Sequence, residues 1–138
     1  VTSAPDMNEF ACYRNVPCHQ VCFYDKSLFD KRSYLPKYTV RADYEHFLYC
    51  VYEEKAKTIY MPIVICLYEG GGFSETVENR RKSKEQHKEI VSRYMGKRAV
   101  MYRFLMIASF ACLRTKIAEN PMLSKHYNSV KSFLYWRR

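Results

Sequence analysis

Residues 58–69 read TIYMPIVICLYE, a run dense in β-branched and aromatic side chains that carries no charge until Glu69. It is short and apolar, as a buried strand is. Pro62 stands in its middle and has no N–H to give a ladder, so an edge position or a break is expected there. The run leads into EGGGFS, residues 69–74. Three consecutive glycines lower the cost of left-handed backbone angles and let the chain approach a ligand closely, although a plain flexible turn has the same composition.

Upstream, VPCHQVCFY (16–24) reads as a second strand or buried extended segment, with a proline at its entry. DKSLFDKRSYLP (25–36) follows, with a short helical turn expected around Ser27–Asp30 before Pro36 interrupts. TVRADYEHFLYCVYEEKAK (39–57) is the clearest helix. Its Tyr44, Phe47, Leu48, Val51 and Tyr52 recur at the three-and-four spacing of one apolar face, and Glu45, Glu53 and Glu54 lie off much of that face. Thr39 or Asp43 is expected to cap its start. ETVENRRKSKEQHKEIVSRYM (75–95) predicts a charged helix whose apolar residues gather mainly at its end.

Two more helices are expected beyond it. KRAVMYRFLMIASFACLRTK (97–116) is apolar over most of residues 99–113 but broken by Arg103. A bilayer span needs roughly 20 apolar residues, so this run is too short and too charged to cross. It suits a helix packed on the body or lying in a membrane interface. SKHYNSVKSFLYWRR (124–138) puts Tyr127, Val130 and Leu134 on one side and ends in Trp136 and two arginines, as an interfacial anchor does.

The 138 residues suffice for one domain with a modest core, and 48% hydrophobic against 27% charged residues points to a globular chain. The net charge of +9 is uneven. Residues 1–79 hold 8 Lys/Arg and 11 Asp/Glu, net −3, and residues 80–138 hold 15 and 3, net +12. A basic half suits a polyanionic partner, nucleic acid or an anionic membrane surface. The six cysteines at 12, 18, 22, 50, 66 and 112 are irregularly spaced, and are expected to be reduced, buried thiols of a cytosolic protein. Cys18, His19 and Cys22 offer only three zinc ligands, two of them adjacent, with no second pair at finger spacing. The polar, acidic start VTSAPDMNEF shows no signal peptide and no initiator Met, as in a processed start or a piece of a longer chain.

The order of the segments carries more information than any one of them. CHQVCFYDKSLF, then YTVRADYEHFLYCV, then IYMPIVICLYEGGGFS, then a charged helix, resembles the second half of a family 2 glycosyltransferase over roughly residues 12–95. The similarity is to bacterial enzymes that build capsule, O-antigen and other surface polysaccharides. Their His-Gln segment, Ala-Asp-aromatic helix start and strand leading into a Gly-Gly-x-Ser turn all have counterparts here. The chain departs from them in having Leu48-Tyr49 where Leu-Arg is frequent, and in lacking the nucleotide pocket and Asp-x-Asp motif of the first half.

That resemblance implies an α/β fold. It would be the C-terminal part of a GT-A, Rossmann-like nucleotide-sugar transferase with few strands, residues 1–95 being the acceptor-side half of the catalytic domain and 96–138 a basic helical extension. It implies an inverting transferase, within a longer enzyme, that passes sugar from a nucleotide-sugar to a glycan or lipid-linked acceptor. Asp43 is then the catalytic base that takes the acceptor's hydroxyl proton. At a helix start the partial positive charge keeps a carboxylate ionised but weakens it as a base, so position must contribute more than basicity. The ordinary reading of Asp43 is a cap worth about 1 kcal/mol. His19 and Gln20 are implied to face the donor's sugar or diphosphate, a histidine satisfied in the core being the ordinary reading. Gly71, Gly72 and Ser74, with Gly70, are implied to shape a loop over the acceptor, where backbone amides suit an anionic group. A divalent Mg or Mn is implied for the full enzyme, with ligands mostly in the missing half and none assigned here.

Residues 97–138 would give peripheral contact with the inner membrane face of the cytoplasm, near-surface Lys/Arg contributing about 1 kcal/mol each. Their ordinary reading is a helical cap with its charges in water. The competing classes are a basic nucleic-acid-binding module, which no RNP-like strand, helix-turn-helix or zinc pairing supports, and a non-catalytic interaction domain. Unpaired strand edges in such a half-sheet would favour homo-oligomers.

Overall fold

The computed structural model describes residues 7–14, 16–66, 76–109 and 120. The chain divides into two compact units, residues 1–99 and 100–138. Within the first unit, α1 (Glu9–Arg14), a 3-10 turn (His19–Val21), α2 (Lys26–Lys31), α3 (Ala42–Tyr52) and α4 (Val77–Met95) follow in order. A further helix, α5 (Lys97–Ala108), crosses into the second unit.

The middle of the first unit is α3. Seven consecutive residues, Tyr44 to Cys50, are buried, so the helix is enclosed on all sides and not along a single stripe. On one side the Tyr44 hydroxyl donates to the carbonyl of Cys12 at the end of α1, 2.7 Å away. On another, Arg32, just past α2, gives two hydrogen bonds to the Glu45 carboxylate, at 3.0 and 2.9 Å, and lays its guanidinium 3.8 Å from the centre of the Tyr49 ring. On a third, α4 crosses α3, and the Tyr94 hydroxyl donates to the same Glu45 carboxylate. Glu45 is wholly buried, and its charge is held by three donors or cations from two directions.

Helix α4 shows why its packing face is hard to see in sequence. The inward stripe runs Asn79, Ser83, Gln86, His87, Ile90, Val91, Tyr94, at three-and-four spacing, and is polar in its first half. The fully buried apolar residues of α4 are Ile90, Val91 and Met95, which matches the expected gathering of apolar residues at the helix end. Thr76 caps the start by accepting from the Asn79 N–H at 3.3 Å. Gly96 ends the helix at φ 54°, a left-handed angle that glycine adopts without a Cβ clash, and α5 begins at the next residue.

His46 lies on the far side of α3, with no exposed surface. Its ring stacks on Phe29 at 4.3 Å and meets Tyr24, Tyr34 and Tyr49 at their edges or at a tilt. Neither ring nitrogen has a hydrogen-bond partner among the described residues. Burial, and then the nearby Arg32 charge, push its pKa below the usual histidine value, with Glu45 opposing weakly. His87 is pushed the same way, mainly by burial. Depressed histidines bind protons more readily in the unfolded chain, so stability is lost as pH falls below about 6.5. The denaturation midpoint is therefore expected to drop between pH 7 and 5. His46→Phe should raise it at pH 5 and flatten part of the slope, leaving the share due to His87. Urea titrations at several pH values check this, and an unchanged slope in the variant contradicts it.

The α/β expectation is overturned, because among the described residues there are helices, one 3-10 turn and irregular chain, and no strand. Residues 16–24 form no strand, and a 3-10 turn at His19–Val21 interrupts them. Pro17 cannot donate to a ladder, and the chain closes on itself through Val21 N–H to Cys18 O (3.0 Å) and Cys22 N–H to His19 O (3.2 Å). Residues 58–66 are irregular and largely exposed, Ile59 and Val64 both at 87%. Ile63 N–H bonds the Met61 carbonyl across Pro62, which turns the chain where a strand would need to run straight. β-branched residues favour a strand only where a neighbouring strand takes up their backbone groups and side chains, and none is present among the described residues.

The helices fare differently. α2 forms where the turn around Ser27–Asp30 is expected, with Asp25 as its cap accepting from the Ser27 N–H at 2.9 Å. α3 and α4 lie within their expected ranges, and α5 covers the first part of 97–116. The helix expected over 124–138 lies outside the described residues. Cys12 and Cys50 are buried as expected, whereas Cys18 and Cys22 are half-buried and Cys66 is exposed. Among the described residues no helix is long and apolar enough to cross a membrane.

Candidate functional site

Two of the residues singled out in the sequence meet at the surface. His19 is the first residue of the 3-10 turn and Asp43 the second residue of α3, 24 positions later. The His19 Nδ1 lies 3.1 Å from Asp43 Oδ2. Their side chains are 58% and 35% exposed, so a solute can reach both. The other carboxylate oxygen of Asp43 accepts the Tyr44 backbone N–H at 2.8 Å. The carboxylate is thus gripped at both oxygens, by an imidazole and by an amide of the first helical turn.

Neither expected residue, Thr39 or Asp43, holds the cap position of α3. Arg41 holds the cap position with no side-chain cap bond, and Thr39 instead accepts from the Gln86 side-chain amide at 3.3 Å. The amide of Val40, just ahead of the helix, and that of Arg41, at the cap, both donate to the Gln86 side-chain oxygen, at 3.1 and 3.0 Å. Arg41 Nε donates to Ser83 Oγ at 2.8 Å. Gln86 of α4 thus holds the entrance of α3, while Asp43 takes the Tyr44 amide of the first turn with one carboxylate oxygen and turns the other to His19.

The groups around the pair are polarisable and partly buried. Burial, followed by the Asp43 charge, raises the Tyr34 hydroxyl pKa. Burial is also the main cause of the rise at Cys22, where Asp43 adds a smaller push. Arg41, two residues before Asp43, has its pKa lowered by burial, with Tyr44 and Asp43 opposing. Tyr34 and Arg41 are the members that sequence reasoning missed. Arg41 stands inside the quoted RADYEHF stretch, so proximity in sequence is a usable signal for it. Tyr34 comes from the loop after α2 and carries no such signal.

Gln20 is exposed beside His19, and its side-chain oxygen is 3.5 Å from the Cys18 thiol, so it does not join the Asp43 carboxylate. Gly70, Gly71, Gly72 and Ser74 lie outside the described residues. Among the described residues no group of three His, Cys, Asp or Glu side chains converges as a metal site needs. Cys18, His19 and Cys22 do not converge as such a group, and the described residues offer no set of ligands that fits a divalent metal. Comparison with protein-family models, with curated proteins and with solved structures finds no match.

Proposed function

We propose that this chain belongs to an enzyme that transfers a sugar from a nucleotide-sugar to a hydroxyl acceptor with inversion, and that Asp43 is its base. The observation that carries the reading is the approach of His19 to Asp43 at 3.1 Å on an accessible surface. In the reaction, the acceptor hydroxyl gives its proton to the free lone pair of the Asp43 carboxylate. Its oxygen forms the bond to the anomeric carbon from the face opposite the leaving group. The bond from that carbon to the nucleoside diphosphate breaks, and the diphosphate departs with the electron pair. His19 acts through Asp43 as a positioning residue, fixing the plane of the carboxylate so that one lone pair points outward. Gln20 and the Gly71, Gly72 and Ser74 loop would complete the contacts to donor and acceptor. No step is assigned to a metal, and the reading needs no particular sheet. The acceptor is a glycan or lipid-linked glycan, which places the enzyme in the cytoplasm at the inner membrane face.

The test is transfer by the complete protein. His19→Ala is expected to lower the turnover about 10-fold to 100-fold, the size of effect that a misplaced catalytic group produces. His19→Asn, whose amide can reach Asp43 from nearly the position of Nδ1, should recover much of the loss. Rescue by asparagine separates a positioning role from a general loss of fold. Equal turnover in His19→Ala and parent would remove the pair from the mechanism.

A further inference from the structure

We propose that the outward ridge of α5 is a docking surface for an anionic lipid bilayer, an inference that makes the peripheral-membrane part of the reading above specific and rests on it, while owing nothing to the chemistry at Asp43. Val100, Phe104 and Ile107 are spaced four and three apart, so they stand on one face of the helix. All three are exposed, at 56%, 67% and 64%. Met101 and Leu105 widen the ridge along one flank and are exposed as well. A lone apolar residue in water is ordinary, but a contiguous ridge of five marks a contact surface.

The charge on the same helix identifies the partner. Lys97 lies three residues before Val100 and begins the ridge, Arg103 flanks it between Val100 and Ile107, and α5 holds no acidic residue. Residues 100–138 carry 7 Lys/Arg and 1 Glu, net +6. Aliphatic side chains between cations suit an anionic leaflet, where the ridge enters the acyl boundary while lysine and arginine stay at the headgroups. A nucleic-acid backbone would use the cations but would leave Val100, Ile107 and Leu105 in water. Twelve residues make a helix of about 18 Å, too short to cross and long enough to lie flat.

The full chain is mixed with vesicles of phosphatidylcholine alone or of phosphatidylcholine with phosphatidylglycerol, then sedimented. Partitioning onto the anionic vesicles should be at least about tenfold stronger, and should weaken as salt screens the surface. Val100→Ser, Phe104→Ser and Ile107→Ser together should lower that partitioning by about tenfold or more, with the helical circular-dichroism signal retained. Phe104→Trp in a Trp136→Phe background offers a second measurement that does not depend on the triple variant folding. The introduced indole should shift to the blue on anionic vesicles and be quenched by brominated acyl chains. Equal binding to both vesicle types, undiminished binding by the folded serine variant, or an indole that stays in water each overturns the proposal. So does binding to single-stranded RNA, or a ridge-dependent dimer, without binding to vesicles. The two readings fail separately. Loss of transfer in Asp43 variants leaves vesicle binding in place, and loss of vesicle binding in the ridge variant leaves transfer to a water-soluble acceptor in place.

Discussion

Asp43→Asn in the complete protein is expected to lower sugar transfer by about 10²–10⁴-fold, the contribution typical of a positioned base. The substitution is nearly isosteric. Its amide oxygen can still accept the Tyr44 N–H, which is 2.8 Å from the carboxylate, or the His19 N–H. What it loses is the ability to take a proton at the outward position. The thermal transition should therefore move little, because the asparagine oxygen can keep the Tyr44 N–H and Gln86 satisfies the Val40 and Arg41 amides ahead of it. A drop in turnover without a matching change in substrate binding is the expected pattern, since the proton moves only in the transition state. Parental turnover in the variant would end the proposal, and loss of fold would assign Asp43 a structural task instead.

The largest effect on stability is expected at Glu45. Its carboxylate is sealed from solvent and joined to Arg32 by two hydrogen bonds, to Tyr94 by a third, and approached by Arg93 at 3.8 Å. Glu45→Ala would leave the Arg32 fork and the Tyr94 hydroxyl facing a cavity. Removing one member of a buried ion pair costs about 3–5 kcal/mol; here the lower end is expected, because Arg32 keeps partial access to water. Glu45→Gln should cost less, since an amide oxygen still accepts one of the donors. Chemical denaturation of parent and variants measures both. A cost below about 1 kcal/mol for Glu45→Ala would mean the network is no stronger than an exposed pair.

Glu45 also shows where sequence reading runs out. Periodicity places it off the Tyr44, Phe47, Leu48 face of α3, and that would be its solvent side if the helix packed along one stripe. The helix is enclosed from three sides instead, so the residues of every face are buried, charged and aromatic alike. The cation that makes this tolerable, Arg32, comes from a loop 13 residues away whose place no local pattern reveals. Helices α2, α3 and α4 were legible because spacing and turn residues are local properties. The expected strands were not realised, because a strand is a property of two segments, and the run at 58–66 has apolar residues but no neighbour among the described residues. At the candidate site, sequence supplied His19 and Asp43 separately. Their meeting depends on the 3-10 turn at His19–Val21 and on Gln86 of α4 holding the entrance of α3, and neither can be seen in either motif. Gly71, Gly72 and Ser74 fall outside the described residues.

One side chain, Gln86, ties the entrance of α3 to the middle of a 19-residue helix. The proposed base is accordingly mounted on a beam and not on a pliable arm. An alcohol entering the site would meet an oxygen whose bearing is already set, so fitting must be done by the incoming molecule. Selectivity among acceptors would then arise from which hydroxyl can be brought into line, and a poor fit would be rejected at the orientation step and not by weaker adhesion.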